Sequence, residues 1–384
     1  MITAYLKSTN RCNVGCSHCY LPEVVRADRR RMSDETLVAT ARFLADMASR
    51  GRHRSAHVLW HGGEPLVLPA EWYFRAGEIL DRELRSFTES MQTSLIPLRR
   101  DHLPLILQRH GGFVGSSVDF SQRRIKGSVE AYHALWMRKV DMARAEGIVV
   151  IAGVVPTRRE IGREEEIVSW FVDRGFVAFN IDRYNAYGTT FEDRPTNREH
   201  SRFLIGLFDA LMGRMERTGS APIVGAIKAA ITGVLHDVGG DRWGGSCMAD
   251  FVVVEPDGSL NNCPDKASFE EPFGNVHDGF DAFAKSRFRL KWIRHQAVTH
   301  KKNHCQTCEN FSFCRSGCPI TPNGAPDGED ECSGYRSMLS HVRRWTKDPS
   351  NRALAEAYIA QTSEPALIEA ATRYGAQPEG ACAA

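Results

Sequence analysis

Cys12-Asn13-Val14-Gly15-Cys16-Ser17-His18-Cys19 places three thiols in eight residues, spaced CxxxCxxC. A loop of this length can wrap three thiolates around one cuboidal iron–sulfur cluster, and three ligands for four irons leave one iron open. Structural zinc sites generally close a set of four ligands. His18 lies between two of the thiols and is expected to point away. On spacing alone the loop favours a cluster over zinc or unrelated thiols.

The segments around this loop alternate in pattern. Ile2–Ser8 reads as a strand leading into it. Ser33 then caps a helix with Asp34 and Glu35 in its first turn, and Leu37, Ala41, Leu44 and Met47 give that helix an apolar stripe. His57–Trp60 is a second strand, ending at Gly62-Gly63. Glu89–Ile96, Phe113–Val118, Ile148–Val155 and Val177–Ile181 are further strands, with helices such as Val129–Glu146 between them. A βα series of about six units predicts an α/β fold with a parallel sheet and covering helices. Six units fall short of a full barrel, so a partial (β/α)6 barrel is expected.

The barrel is assigned to residues 1–200 and a helical connector to 201–245. Arg198–Val238 is helical in pattern, and Phe203, Leu204, Leu207, Phe208, Leu211 and Met212 are expected core residues. Seven cysteines follow within residues 247–332, in a region assigned to 246–340. There Val252–Glu255, Pro256-Asp257-Gly258 and Ser259–Asn262 read as strand, turn, strand. Residues 341–384 are expected to hold C-terminal helices, with Ser337–Trp345 and Ala353–Thr362 helical and Gly375–Ala384 frayed.

Composition excludes several classes. The net charge of +2 gives no general reason to expect a nucleic-acid partner. The basic run Arg26, Arg29, Arg30, Arg31 reads as a solvated loop. No secretory signal and no apolar stretch of membrane-spanning length appear, so a cytoplasmic protein with no membrane partner is expected. Eleven cysteines in that compartment point to metal rather than disulfides.

With the cysteine loop following the first strand, the chain resembles the radical S-adenosylmethionine (SAM) superfamily, where Tyr20 would be the aromatic residue after the last cysteine. The resemblance implies that SAM chelates the open iron and is cleaved reductively to a 5′-deoxyadenosyl radical. Trp60-His61-Gly62-Gly63-Glu64-Pro65-Leu66 resembles the GGEP motif. Its glycines would let backbone approach the ligand, and Glu64 would accept from the SAM ammonium. Gln92-Thr93-Ser94 resembles the family's QTN segment and Gly115-Ser116-Ser117-Val118-Asp119 its GxSxD segment. Carried over by position, Tyr20, Gly62, Gly63, Glu64, Pro65, Thr93, Ser94 and Ser117 would contact SAM, and Asp119 would sit near the substrate. Local turn capping is the alternative for Ser117 and Asp119. Arg124 is the better match for the arginine that binds the SAM carboxylate, with Arg123 its rival.

The later cysteines resemble the SPASM extension of peptide maturases. The resemblance implies two auxiliary 4Fe–4S clusters, three in all. Cys247, Cys263 and Cys318 would hold Auxiliary I, its fourth ligand being water, Asp241 or a substrate group. Cys305, Cys308, Cys314 and Cys332 would hold Auxiliary II. Zinc ribbons are the alternative for this region, and Cys382 has no assigned role. The function implied is modification of a peptide or protein side chain, foremost a carbon–carbon or thioether crosslink in a ribosomally made peptide. Oxidation of Cys or Ser to formylglycine is second, with Asp265 as the base although Pro264 intervenes. Small-alcohol oxidation is third, and a non-catalytic electron carrier is the rival of another class. A flavodoxin- or ferredoxin-type reductant is an expected partner. Only 11 residues precede Cys12, so leader recognition is expected from the C-terminal region or a separate protein, or is not needed.

Overall fold

The computed structural model describes residues 1–361 apart from 20, 52, 184–191, 245–246, 265–270, 303–304 and 319–330, and side chains apart from 248–249 and 295–302 as well. Its centre is a nine-stranded sheet. The strands are β1 (Ile2–Thr9), β2 (Ala56–Gly62), β3 (Phe87–Thr93), β4 (Phe113–Ser117), β5 (Val149–Val154), β6 (Ala178–Ile181), β7 (Ile223–Val224), β8 (Phe251–Val254) and β9 (Leu260–Asn261). The order is β7-β6-β5-β4-β3-β2-β1-β8-β9, and every pairing except β8–β9 is parallel. The sheet is not closed, as expected of a partial barrel. In parallel α/β sheets ligands collect beyond the carboxyl ends of the strands.

The six strands read from sequence are β1 to β6, displaced by up to three residues at their ends. The first helix is Asp34–Arg50, and Ser33 Oγ accepts from Thr36 N at 3.2 Å. The expected continuous helical stretch 198–238 is instead two helices, Asn197–Thr218 and Gly225–His236. Gly219 closes the first in the left-handed conformation (φ 73°), and Pro222 prevents helical continuation. The freed Ile223-Val224 pairs with β6 as β7. The last two helices are Arg336–Trp345 and Pro349–Ala360. The second begins earlier than expected because Asp348 caps it and Pro349 occupies its first position. The tail 375–384 lies outside the described residues.

The hairpin read at 252–262 forms, with Gly258 in its turn at φ 84°. Its placement is new: β8 pairs in parallel with β1, Thr3 opposite Phe251 and Leu6 opposite Val254. The cysteine-rich region therefore continues the sheet from the barrel's first strand. Tyr5 and Phe251 touch with ring centroids 4.9 Å apart. At the same seam Lys7 pairs with Glu255 at 2.7 Å, both side chains buried.

Candidate active site

The carboxyl ends of the strands surround a cavity of about 530 Å³. Cys12, Cys16 and Cys19, from the loop after β1, share its wall with Gly62, Gly63, Glu64, Gln92, Thr93, Ser94, Ser117 and Arg123. The loop is tethered to neighbouring segments. Cys12 N donates to Arg26 O at 3.4 Å and Ser17 N to Gln122 O at 3.1 Å. Burial raises the Cys12 thiol, and it pushes the Cys16 thiol up to about 12 against the pull of Arg123. As thiols these groups are neutral, so a metal must displace their protons to bind. Three sulfur donors facing one cavity fit the three-thiolate cluster expected from sequence. His18 lines the same cavity, its Nε2 3.5 Å from Asp119 Oδ2.

The two glycines of the second motif line the cavity and also pack against the cysteine loop. A Cβ on Gly62 would stand 2.2 Å from Thr9 O, and one on Gly63 would stand 2.3 Å from Asn10 O. Gly63 N donates to Thr9 O at 3.0 Å and Glu64 N to Arg11 O at 2.9 Å. The glycines thus let the β2 loop lie against the cysteine loop. Pro65 begins a short 3-10 turn over Pro65–Val67.

Glu64 is locked by protein donors. Its carboxylate accepts from Thr93 Oγ1 at 2.5 Å, Ser94 Oγ at 2.5 Å, Ser94 N at 2.8 Å and Leu66 N at 3.0 Å. Thr93 and Ser94, expected to contact ligand, therefore spend their hydroxyl protons on Glu64. Gln92 Nε2 donates to Ser117 Oγ at 3.1 Å. Gly115 makes room for this amide, since a Cβ there would lie 2.0 Å from Gln92 Oε1.

Two of the expected residues do not line the cavity. Asp119, expected beside the substrate, is fully buried behind the wall. Its carboxylate accepts from Arg123 Nε at 2.6 Å and Val155 N at 2.8 Å. Burial alone would raise its pKa, but Arg123, His18 and the Val155 amide together hold it below the usual carboxylate range. Asp119 thus holds Arg123 and the Val155 amide rather than facing the cavity. Arg124 is exposed, its Nε 3.4 Å from Ser121 O. Of these two neighbours it is Arg123 that lines the cavity, because the i,i+4 pair with Asp119 draws it inward. Tyr20 and Asp265 lie outside the described residues.

Sequence reading passed over His61, which also lines the cavity. Burial and Lys7 lower its pKa to about 4, so the ring is neutral, and Nδ1 accepts from Gly62 N at 2.8 Å. It also passed over Asn180, Asp182, Arg183 and Arg242, which line the far end with Pro264 and Cys318. The available signal was Asp182-Arg183 directly after a strand end.

Of the later cysteines, Cys305, Cys308, Cys314 and Cys332 approach one another. Burial pushes the Cys314 thiol up to about 12, and the other three add to the rise. A Cβ on Gly334 would stand 2.5 Å from Cys314 Sγ and 3.8 Å from Cys332 Sγ. Ser316 Oγ donates to Cys305 Sγ at 3.1 Å. The β8–β9 hairpin carries Cys263 back towards Cys247, whose carbonyl lies 3.5 Å from Asn262 Nδ2. Asp241 is 3.7 Å from Arg242, and Cys382 lies outside the described residues.

Residues 6–171 match the family model described as the radical SAM superfamily. The chain carries a radical SAM domain. Radical SAM enzymes use SAM and a 4Fe–4S cluster, and the chain is similar to sulfatase-maturing and SPASM-type members of that superfamily. The serine-type anaerobic sulfatase-maturating enzyme of Klebsiella aerogenes is 22% identical over 348 residues, covering 86% of this chain and 82% of that protein. The fold is similar to that of native anSMEcpe with bound AdoMet, with a TM-score of 0.73 and 17% identity over 93% of this chain and 100% of the other. It is also similar to that of Streptococcus suis SuiB bound to the precursor peptide SuiA, with a TM-score of 0.56 and 14% identity over 83% and 72% of the two chains. Among the described residues no helix is long and apolar enough to cross a membrane.

Proposed function

We propose that this enzyme removes a hydrogen atom from a peptide or protein side chain held in the cavity and forms a carbon–carbon or thioether crosslink. The observation that carries this reading is the shared wall: the CxxxCxxC thiols, Glu64 and Arg123 face one cavity with Pro264 and Cys318 of the cysteine-rich region. When bound, the cluster and SAM together supply a 5′-deoxyadenosyl radical able to take hydrogen from an unactivated carbon.

The chain's own groups prepare that event. Cys12, Cys16 and Cys19 would hold the cluster. Asp119 fixes Arg123 so that its guanidinium meets the SAM carboxylate. Glu64, fixed by Thr93 and Ser94, sets the edge of the amine pocket, with Gly62, Gly63, Pro65 and Ser117 around it. Val14, Leu21 and Leu59 supply apolar wall that keeps water from a reactive species. Cys305, Cys308, Cys314 and Cys332 would hold one auxiliary cluster and Cys247, Cys263 and Cys318 another, each able to accept an electron from the substrate. SuiB, crystallised with a precursor peptide, supports a peptide substrate. A flavodoxin or ferredoxin would deliver the initiating electron, and a separate leader-recognition protein is compatible with the chain.

Oxidation of Ser or Cys to formylglycine is the second reading, favoured by the sulfatase-maturing relatives that share most of this chain's length. Pro264, not an acid, follows Cys263 on the cavity wall. The test incubates anaerobically reconstituted enzyme, SAM and dithionite with candidate peptides and follows 5′-deoxyadenosine and peptide mass. Loss of a hydrogen pair without hydrazide trapping supports a crosslink. Hydrazide trapping identifies the aldehyde and rejects the first reading. No 5′-deoxyadenosine rejects both.

A further inference from the structure

The far end of the cavity holds a cation whose charge is incompletely matched. Arg183 follows β6, is only 7% exposed and lines the cavity with Arg242. Its Nη2 donates to Asn197 Oδ1 at 3.1 Å, and it faces the Tyr335 hydroxyl. Its Nε and Nη1 have no hydrogen-bond partner among the described residues. Arg242 is better compensated, by Asp241 and Asp182, and its Nη2 donates to Ile181 O at 3.2 Å. The charged side chains acting most on Arg183 are Arg194 and Arg242, both cations, and with burial they lower its pKa. Behind the site, His200 is buried and kept neutral by burial, Arg183 and Arg242. A dry guanidinium with unused donors is costly until an anion meets it. Its planar fork matches a carboxylate.

We propose that Arg183, with Arg242 beside it, is a carboxylate-binding subsite that selects a peptide carrying an acidic side chain or a free C-terminus next to the residue being modified. This rests on the peptide-modifying reading above. The carboxylate of SAM is assigned in the proposal above to Arg123, which lies beside Cys16, so Arg183 is left for a different anion.

The test uses the full chain, reconstituted and loaded with SAM, and random short peptides built around a fixed Cys or Ser. One pool carries Glu beside the fixed residue and the other Gln, each made with a free or an amidated C-terminus. Retention is read by affinity-selection mass spectrometry. The wild type retains the carboxylate-bearing peptides at least about tenfold better, as expected for a charge-assisted pair, and R183Q loses the preference. A preference that follows Glu assigns the subsite to a side chain; one that follows the free terminus assigns it to the chain end. Equal retention, no retention, or an unchanged preference in R183Q overturns the proposal. If R183Q does not fold, the wild-type preference alone decides. Preferential retention without modification rejects the peptide-modifying reading and keeps the subsite. Modification without preference does the reverse.

Discussion

Lys7 Nζ lies 2.7 Å from Glu255 Oε1, with side chains 0% and 4% exposed, so the first strand and the cysteine-rich region are joined by a dry ion pair. Asn10 Nδ2 adds a 3.4 Å bond to the same carboxylate. Removing one partner leaves a buried charge alone. Glu255→Gln is expected to destabilise the protein by about 3–5 kcal/mol, read from the urea midpoint. The double change Lys7→Met with Glu255→Leu is expected to cost clearly less. An equal or larger loss in the double variant would contradict the assignment.

Glu64→Ala is expected to disturb structure as well as ligand. Four donors lose their acceptor at once, which costs about 2–4 kcal/mol. Glu64→Gln, which keeps one acceptor oxygen, should cost less. Thermal unfolding and SAM dialysis on the same samples separate the stability effect from binding.

Arg123 and Arg124 should behave differently. Arg123→Gln is expected to weaken SAM binding by roughly 10–150-fold through loss of a charge-assisted bond. Arg124→Gln, on an exposed side chain, should stay within about twofold. Equilibrium dialysis of cluster-loaded protein decides, and equal effects would remove Arg123 from its role.

Changing Cys12, Cys16 and Cys19 together to Ala should abolish 5′-deoxyadenosine formation. It should also remove about a third of the iron, the share of one cluster in three. Retained SAM cleavage would refute the cluster assignment, and unchanged iron would refute the ligand set.

Gly63→Ala tests loop packing. The added Cβ would meet Asn10 O at 2.3 Å, so the cysteine loop must shift. Iron and 5′-deoxyadenosine yield should fall while the C-terminal iron is kept. Normal loading of the first cluster would show that the contact is not needed.

What sequence made legible is what local chemistry specifies. Strand periodicity found β1 to β6, Ser33 announced its helix, and CxxxCxxC named the three thiols now on the cavity wall. The partner of a strand is not local information. Phe251–Val254 reads as half of a hairpin, and nothing in its pattern says that its free side meets β1. Side-chain direction is equally hidden. Arg123 and Arg124 are adjacent and alike in sequence, and only the buried Asp119 draws the first of them inward. The same carboxylate looked catalytic because its motif placed it at a strand end, whereas burial and three contacts make it a support. Glu64 was legible as an acceptor, but its four protein donors were not.

The pairing of β8 with β1 also imposes an order of events during synthesis. The ribosome makes β1 first and reaches its outer neighbour only after residue 250, which at typical elongation rates is a delay of roughly tens of seconds. Throughout that interval the emerging barrel carries an open strand edge and a lysine without its acid. An open edge is a template for other chains. That edge is covered only once the C-terminal third of the sequence has been made.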